Sequence, residues 1–233
     1  MKKIAFLVFG AMLTSLLFVG CQESGEEASN TEATTTETTE TTPPAEEEPT
    51  VAAPEVLNAN LATEADLTGA GLAAEMVAKI LAERPFLTMN AFDALVGEEE
   101  NKEKLYSLIF VPFNLNTTAE ADFKMIPGVG DRMAHEFEEY RPYTSIQQFR
   151  REIGKYVDED EVARYENYVF VPVELNTASE ADIKALPGVG DRMAHEFEEY
   201  RPYTSMEQFR REIGKYVDDN ELARLERFVY LAE

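Results

Sequence analysis

Two copies of one glycine-rich stretch carry the residue spacing that best suits contact with a ligand. Pro127-Gly128-Val129-Gly130-Asp131 recurs as Pro187-Gly188-Val189-Gly190-Asp191. Glycine adopts positive φ angles and lets a backbone come close to another group, and aspartate suits the positive N-terminus of a helix. The same pattern is also consistent with a purely structural tight turn between two helices, in which Val129 and Val189 fill the core.

Residue types that commonly catalyse reactions or bind metals are sparse. His135 and His195 are the only histidines, and no serine or cysteine nucleophile motif accompanies them. Two isolated histidines do not make a zinc site. The pairs Glu138-Glu139 and Glu198-Glu199 are adjacent on a helix and therefore do not face each other. We expect no enzyme activity, no catalytic residues and no metal-ligand set, and interpret these side chains as a solvated face.

The single cysteine, Cys21, follows a basic start, Met1-Lys2-Lys3, and an apolar stretch that ends at Val19. That stretch is too short for a comfortable membrane span and is typical of a secretory signal, here residues 1–20. The end of the signal resembles a bacterial lipobox. The resemblance implies lipidation of Cys21 and an extracytoplasmic protein anchored to a bacterial membrane through lipid, in the periplasm or on the cell surface. The alternative is an ordinary secretory signal with an incidental cysteine.

Residues 21–56 predict a disordered, acidic tether. From Gln22 to Val56 there is no Lys, Arg or aromatic residue, only a composition dominated by Thr, Glu, Ala and Pro. Such a segment cannot bury enough apolar surface to offset the entropy lost on ordering. Glu23, Glu26 and Glu27 resemble the surface-export signal of some bacterial lipoproteins; a plain solvated linker is the alternative. The whole chain has a formal net charge of -24, and residues 57–233 carry about -16, so the folded part repels polyanions at long range.

An internal repeat sets the organisation of the remaining chain. Residues Pro127–Ser145 and Pro187–Ser205 are identical, and a degenerate copy with the hairpin Gly69-Ala70-Gly71 precedes them. Self-similarity at a fixed period indicates repeated structural units. We predict three modules, named module one (57–112, degenerate), module two (113–172) and module three (173–233).

Capping signals in module three predict four short helices. Thr177 with Glu180 predicts a capping box for the first, and Asp191 suits the start of the second. Ser205 with Gln208 and Asp218 with Glu221 predict the starts of the third and fourth. No convincing alternating apolar pattern suggests strands. The fold class expected is all-α, built from tandem helix-hairpin-helix modules after a disordered tether.

The order Leu175-Asn176-Thr177, helix, Leu186-Pro187-Gly188-Val189-Gly190, helix, Arg201-Pro202-Tyr203 resembles the ComEA competence family of extracytoplasmic DNA receptors. In that family the backbone amides of the hairpin bind a DNA phosphate, and the hairpin often holds a monovalent cation through its carbonyls. Apart from that ion, we expect no cofactor. The resemblance implies these DNA-contacting residues: Gly128, Val129, Gly130, Arg132, Gly188, Val189, Gly190 and Arg192.

Two departures from the family pattern weaken the DNA interpretation. The helix after the hairpin is acidic, and the place for a second hairpin, 213–217, lacks a Gly-x-Gly. The layout is also similar to the PsbU type of extrinsic photosystem subunit, in which such a module packs against proteins. Two partners therefore remain: a DNA backbone, or a protein of the cell envelope. Tyr140, Tyr143, Tyr200 and Tyr203 are available to stack on bases, although packing against Phe149 and Phe209 explains them more simply.

Overall fold

The computed structural model describes residues 56–97 and 101–232, which form twelve helices and six strands of two residues each. The signal segment, Cys21 and residues 22–55 of the tether lie outside the described residues. Among the residues described, no helix is both long enough and apolar enough to cross a membrane. The mostly helical fold expected from the sequence is confirmed.

Each module has four helices between two short strands. Module one holds β1 (Leu57–Asn58), α1 (Glu64–Gly69), α2 (Ala74–Ala82), α3 (Met89–Val96), α4 (Lys102–Tyr106) and β2 (Ile109–Phe110). Module two holds β3 (Phe113–Asn114), α5 (Glu120–Phe123), α6 (Asp131–Glu139), α7 (Ile146–Ile153), α8 (Glu159–Glu166) and β4 (Val169–Phe170). Module three holds β5 (Val173–Glu174), α9 (Glu180–Lys184), α10 (Asp191–Glu199), α11 (Met206–Ile213), α12 (Asp219–Glu226) and β6 (Val229–Tyr230).

The strands join the start of each module to its end. Leu57 pairs with Ile109, Phe113 with Val169, and Val173 with Val229, each in a parallel ladder. Parallel pairing needs a long crossover, which the four intervening helices supply. Two residues are too few to show an alternating apolar pattern, so these strands could not be predicted from the sequence.

Side-chain caps begin most of the helices as the sequence predicts, with one correction. Ser205 Oγ accepts from the Gln208 amide, and Asp218 Oδ1 accepts from the Glu221 amide. The first helix of module three, however, is capped by Ser179 rather than Thr177. Thr177 Oγ1 instead donates to the carboxylate of Glu174 at 2.7 Å. The predicted capping box was wrong because Ser179 offers the same type of cap two residues later.

One arginine and one asparagine tie the hairpin helices together in every module. In module three, Arg201 Nε donates to the Leu175 carbonyl at 2.6 Å and Arg201 Nη2 donates to the Ala178 carbonyl at 2.8 Å. Asn176 Nδ2 donates to the Tyr203 carbonyl at 3.0 Å. The same bonds recur from Arg84 with Asn60 in module one and from Arg141 with Asn116 in module two. These arginines therefore have a structural role.

Apolar side chains form two core clusters. One spans modules one and two, and the other fills module three. Module three is also joined to module one through Arg227, whose Nη2 donates to the Pro112 carbonyl at 3.0 Å and whose Nη1 donates to the Phe86 carbonyl at 3.4 Å. Burial, together with the positive charge of Arg224, lowers the pKa of Arg227 to about 10. The three modules thus pack as one unit that fixes the positions of the hairpins.

Candidate functional site

The glycine-rich hairpins join the first two helices of modules two and three. Gly128 has φ 78° and Gly188 has φ 72°, both in the left-handed region that favours glycine. Gly71 takes the same conformation in module one, with φ 84°. A positive φ at this one position is therefore common to all three hairpins, including the degenerate one.

The two valines of the hairpins do not offer their amides to a ligand. Val129 N donates to the Ile126 carbonyl at 3.0 Å, and Val189 N donates to the Leu186 carbonyl at 3.1 Å. Both side chains are buried in the core. The expectation that these two amides would contact a phosphate is corrected, because both amides are hydrogen-bonded within the turn. The two valine side chains fill the core, as expected for a purely structural turn.

Free amides lie instead at the beginning of α6 and α10. The N-cap residues, Gly130 and Gly190, provide no side chain to cap these helices. Within the part of the chain that the structure describes, the amides of Gly130, Asp131 and Arg132 have no hydrogen-bond acceptor. Unpaired amides at a helix N-terminus are well suited to an anion, because the helix dipole adds positive potential there.

Arg132 and Arg192 stand at the second position of these helices and are exposed. Their guanidinium groups lie over the rings of Tyr156 and Tyr216, at 5.8 and 5.9 Å from the ring centres. Neither arginine is paired with a carboxylate among the described residues. Each helix that begins with free amides therefore also carries, at its second position, an exposed arginine without a carboxylate partner among the described residues.

An aspartate occupies the first turn at each hairpin and is already paired. Lys124 Nζ lies 3.0 Å from Asp131 Oδ1, and Lys184 Nζ lies 2.8 Å from Asp191 Oδ1. The hydrogen bond from Lys184 lowers the pKa of Asp191. These ion pairs offset the negative charge that would otherwise face an incoming anion, although exposed pairs of this kind are weak.

A further arginine lies behind each hairpin. Arg164 in α8 forms a bidentate pair with Glu161, through bonds of 2.7 and 2.6 Å. Arg224 in α12 forms the same pair with Glu221 and also donates to the Pro187 carbonyl at 2.6 Å. The sequence reasoning missed both. The two arginines occupy equivalent positions in modules two and three, which could have indicated a shared role. The sequence did not show, however, that the fourth helix of each module packs against the hairpin.

The histidines lie beside carboxylates at the surface. His135 Nδ1 lies 3.4 Å from Glu120 Oε2 and Nε2 lies 3.9 Å from Glu139 Oε2. The hydrogen bond to Glu120 raises the pKa of His135 above its ordinary value. His195 Nε2 lies 3.6 Å from Glu199 Oε2. Among the described residues no three His, Cys, Asp or Glu side chains are grouped to hold a metal ion.

The tyrosines considered for base stacking pack within the protein. Tyr143 and Tyr203 are buried, and their rings lie 5.9 Å from Phe149 and Phe209. Tyr140 and Tyr200 instead share hydroxyl hydrogen bonds of 2.7 Å with Tyr156 and Tyr216. Packing within the protein accounts for all four side chains.

The comparisons with known proteins bear on the last module. No curated protein and no solved structure gives a significant match to the chain. A sequence model of the helix-hairpin-helix motif matches residues 169–229, which run from β4 into β6 and include every helix of module three. Module two repeats the hairpin of that range residue for residue and has the same order of helices and strands.

Proposed function

We propose that this chain is a non-catalytic binding protein that contacts the phosphate backbone of DNA, without sequence preference, through its hairpins. The observation that carries the proposal is the uncapped N-terminus of α6 and α10, where free amides are followed at the second helical position by an exposed, unpaired arginine. Backbone amides and arginine are the usual contacts to phosphate oxygens, and they carry no sequence information. The helix-hairpin-helix match and the resemblance to the competence family point the same way.

The affinity expected from these contacts is low. Residues 57–233 carry a net charge of about -16, and α6 and α10 each begin with an aspartate. Most proteins that bind DNA tightly neutralise several phosphates with Lys and Arg. Here each hairpin offers one unpaired arginine and a few neutral amides.

The proposed location of the protein is at a bacterial membrane, outside the cytoplasm. A lipidated Cys21 and an extended acidic tether would hold the folded part away from a bacterial membrane, outside the cytoplasm. Two or more buried acyl chains suffice for stable anchoring. We propose no cofactor; a monovalent cation at the hairpin carbonyls is the one inorganic ligand that the family resemblance suggests.

The acidic surface favours a second candidate function. A module that packs against a protein partner of the envelope, without nucleic acid, needs no basic surface, and the exposed Leu87 offers an apolar contact. Under this interpretation the hairpins would only connect two helices and would bind no ligand. The two candidates differ in whether nucleic acid binds at all.

A paired substitution tests the DNA proposal. Residues 22–233 are titrated into a labelled duplex at low salt, with Arg132→Gln and Arg192→Gln combined in one variant. The control variant combines Arg151→Gln and Arg211→Gln, which removes the same charge from exposed positions on α7 and α11. A much larger loss of binding in the first variant supports the hairpins as the site. Equal losses, or no binding by the unaltered protein, would leave the protein-binding module.

A further inference from the structure

Modules two and three contain the same hairpin, residue for residue, yet the surroundings of the two hairpins differ. We propose that only the hairpin of module two receives a phosphate, and that the hairpin of module three is a docking surface for module one within the same chain. This inference rests on the proposed function and refines it, because it assigns one nucleic-acid site to each chain instead of two.

A side chain from module one, that of Leu61, lies against Gly188 in the hairpin of module three, although Leu61 remains 39% exposed. A Cβ atom placed on Gly188 would lie 2.5 Å from Leu61 Cδ1 and 3.3 Å from Leu61 Cδ2. The space directly against this glycine therefore holds the end of a leucine. A phosphate that approached the backbone here would have to displace it.

The arginine behind this hairpin is also withdrawn from solvent. The side chain of Arg224 is 2% exposed, and one of its nitrogens donates to the Pro187 carbonyl at 2.6 Å. Its other partners are the two oxygens of Glu221. Its charge is thus used to hold the hairpin against α12 and is poorly placed to meet an incoming anion.

The hairpin of module two is open by comparison. A Cβ atom on Gly128 would meet only Arg164 Nη2, at 3.4 Å. The side chain of Arg164 is 32% exposed, and its bonds within the described residues are those to Glu161. A guanidinium nitrogen therefore lies against this glycine in both modules, from Arg164 at 3.4 Å in module two and from Arg224 at 3.2 Å in module three, and only module three adds the end of a leucine.

An open groove of about 490 Å³ borders the hairpin of module two, and one of about 390 Å³, partly lined by Leu61, borders that of module three. The lining of the groove in module two includes Lys124 next to the hairpin and Lys102 and Tyr106 from α4 of module one. Lys102 is paired with Asp93 at 2.6 Å and Lys124 with Asp131 at 3.0 Å. Two lysines therefore border the groove, each already paired with an aspartate.

The sequence of module one explains why the two hairpins differ. Leu61 follows Asn60, whereas threonine follows the equivalent asparagine in the other modules, at Thr117 and Thr177. Module one also lacks the Pro-Gly-Val-Gly sequence in its own hairpin. Arg227 holds module three to module one through the Pro112 and Phe86 carbonyls. The degenerate module has thus lost the hairpin sequence while supplying the residue that covers the hairpin of module three.

Single substitutions in residues 22–233 test the inference against a labelled duplex at low salt. Arg132→Gln should weaken binding roughly tenfold, as expected for a charge-assisted contact to phosphate. Arg192→Gln should change binding less than about twofold. Equal losses in the two variants would overturn the inference while leaving the proposed function intact. No binding by the unaltered protein, or no effect of either variant, would remove the proposed function and this inference with it.

A second measurement needs no nucleic acid. In an amide NMR spectrum, Leu61→Ala should shift the Gly188 and Gly190 resonances and leave those of Gly128 and Gly130 in place. Shifts of equal size at both hairpins, or none at Gly188, would show that Leu61 does not cover the hairpin of module three. This outcome would overturn the inference whether or not DNA binds.

Discussion

Asn176 and Tyr203 exchange two hydrogen bonds: the side-chain amide of Asn176 donates to the Tyr203 carbonyl at 3.0 Å, and Asn176 Oδ1 accepts from the Tyr203 amide at 2.6 Å. The pair joins the segment before the first helix of module three to the segment after the second. Asn116 makes the equivalent bonds with Tyr143, and Asn60 makes them with Phe86. The hairpin is thus held in the same way in every module.

Replacement of this asparagine should destabilise the fold. Asn176→Ala leaves a main-chain amide and a main-chain carbonyl without their partner, and each such loss costs about 1–3 kcal/mol. We expect the free energy of unfolding in urea to fall by about 2 kcal/mol or more. Asn220→Ala, at an exposed position of α12, is the control and should change it by less than about 0.5 kcal/mol. An equal effect of the two substitutions would show that the exchange contributes little.

The two hairpin glycines should differ in their response to alanine. Gly128→Ala and Gly188→Ala both place a Cβ in the left-handed region, which costs roughly 1–2 kcal/mol. Gly188→Ala additionally meets Leu61 and should cost more. Urea unfolding of the two variants, each with and without Leu61→Ala, isolates that contact as a double-mutant cycle. The difference in free energy of unfolding between the two glycine variants should shrink when Leu61 is replaced by alanine. If that difference is absent, or does not depend on Leu61, the contact between Leu61 and Gly188 is contradicted.

His135 should titrate above its ordinary pKa of 6.5, because the charged ring gains a hydrogen bond to Glu120. A raised pKa in the folded state means that the interaction is fully present below pH 6.5 and is lost as the pH rises through the folded value. NMR titration of the ring protons measures the pKa directly. Glu120→Gln should lower it, and an unchanged value would show that Glu120 does not interact with the ring in solution.

Lipidation of Cys21 remains a prediction from the sequence. Cells that express the full chain should incorporate labelled fatty acid into it, and Cys21→Ser should abolish the label and release the protein from the membrane fraction. A soluble wild-type protein without label would instead indicate an ordinary secretory signal. This result would not affect the hairpin chemistry, which lies in a separate part of the chain.

Local signals made much of the fold predictable. The Ser205 and Asp218 caps, the glycine hairpins and the repeat each act over a few residues, and the structure contains them as expected. The structural role of Arg201 was not predictable in this way. Its bonds to the Leu175 and Ala178 carbonyls cross more than twenty residues, and an Arg-Pro sequence on its own indicates only the end of a helix.

The candidate site was predictable in part. Sequence reasoning located the hairpins and the arginines that follow them, but it assigned the Val129 and Val189 amides to a ligand when the turn uses them. It also treated two identical motifs as equivalent. The contact between Leu61 and Gly188 joins residues far apart in the chain, and no local sequence pattern predicts it.

The salt dependence of duplex binding tests the central claim most directly, because it counts the phosphates that the protein neutralises. Residues 22–233 are titrated with a labelled duplex at several salt concentrations. Few cationic contacts release few counterions, and salt also screens the repulsion between the acidic domain and DNA. We predict weak binding and a plot of log K against log salt with a slope between about 0 and -2. A steep slope typical of a basic protein, or no binding at low salt, would contradict phosphate recognition by the hairpins.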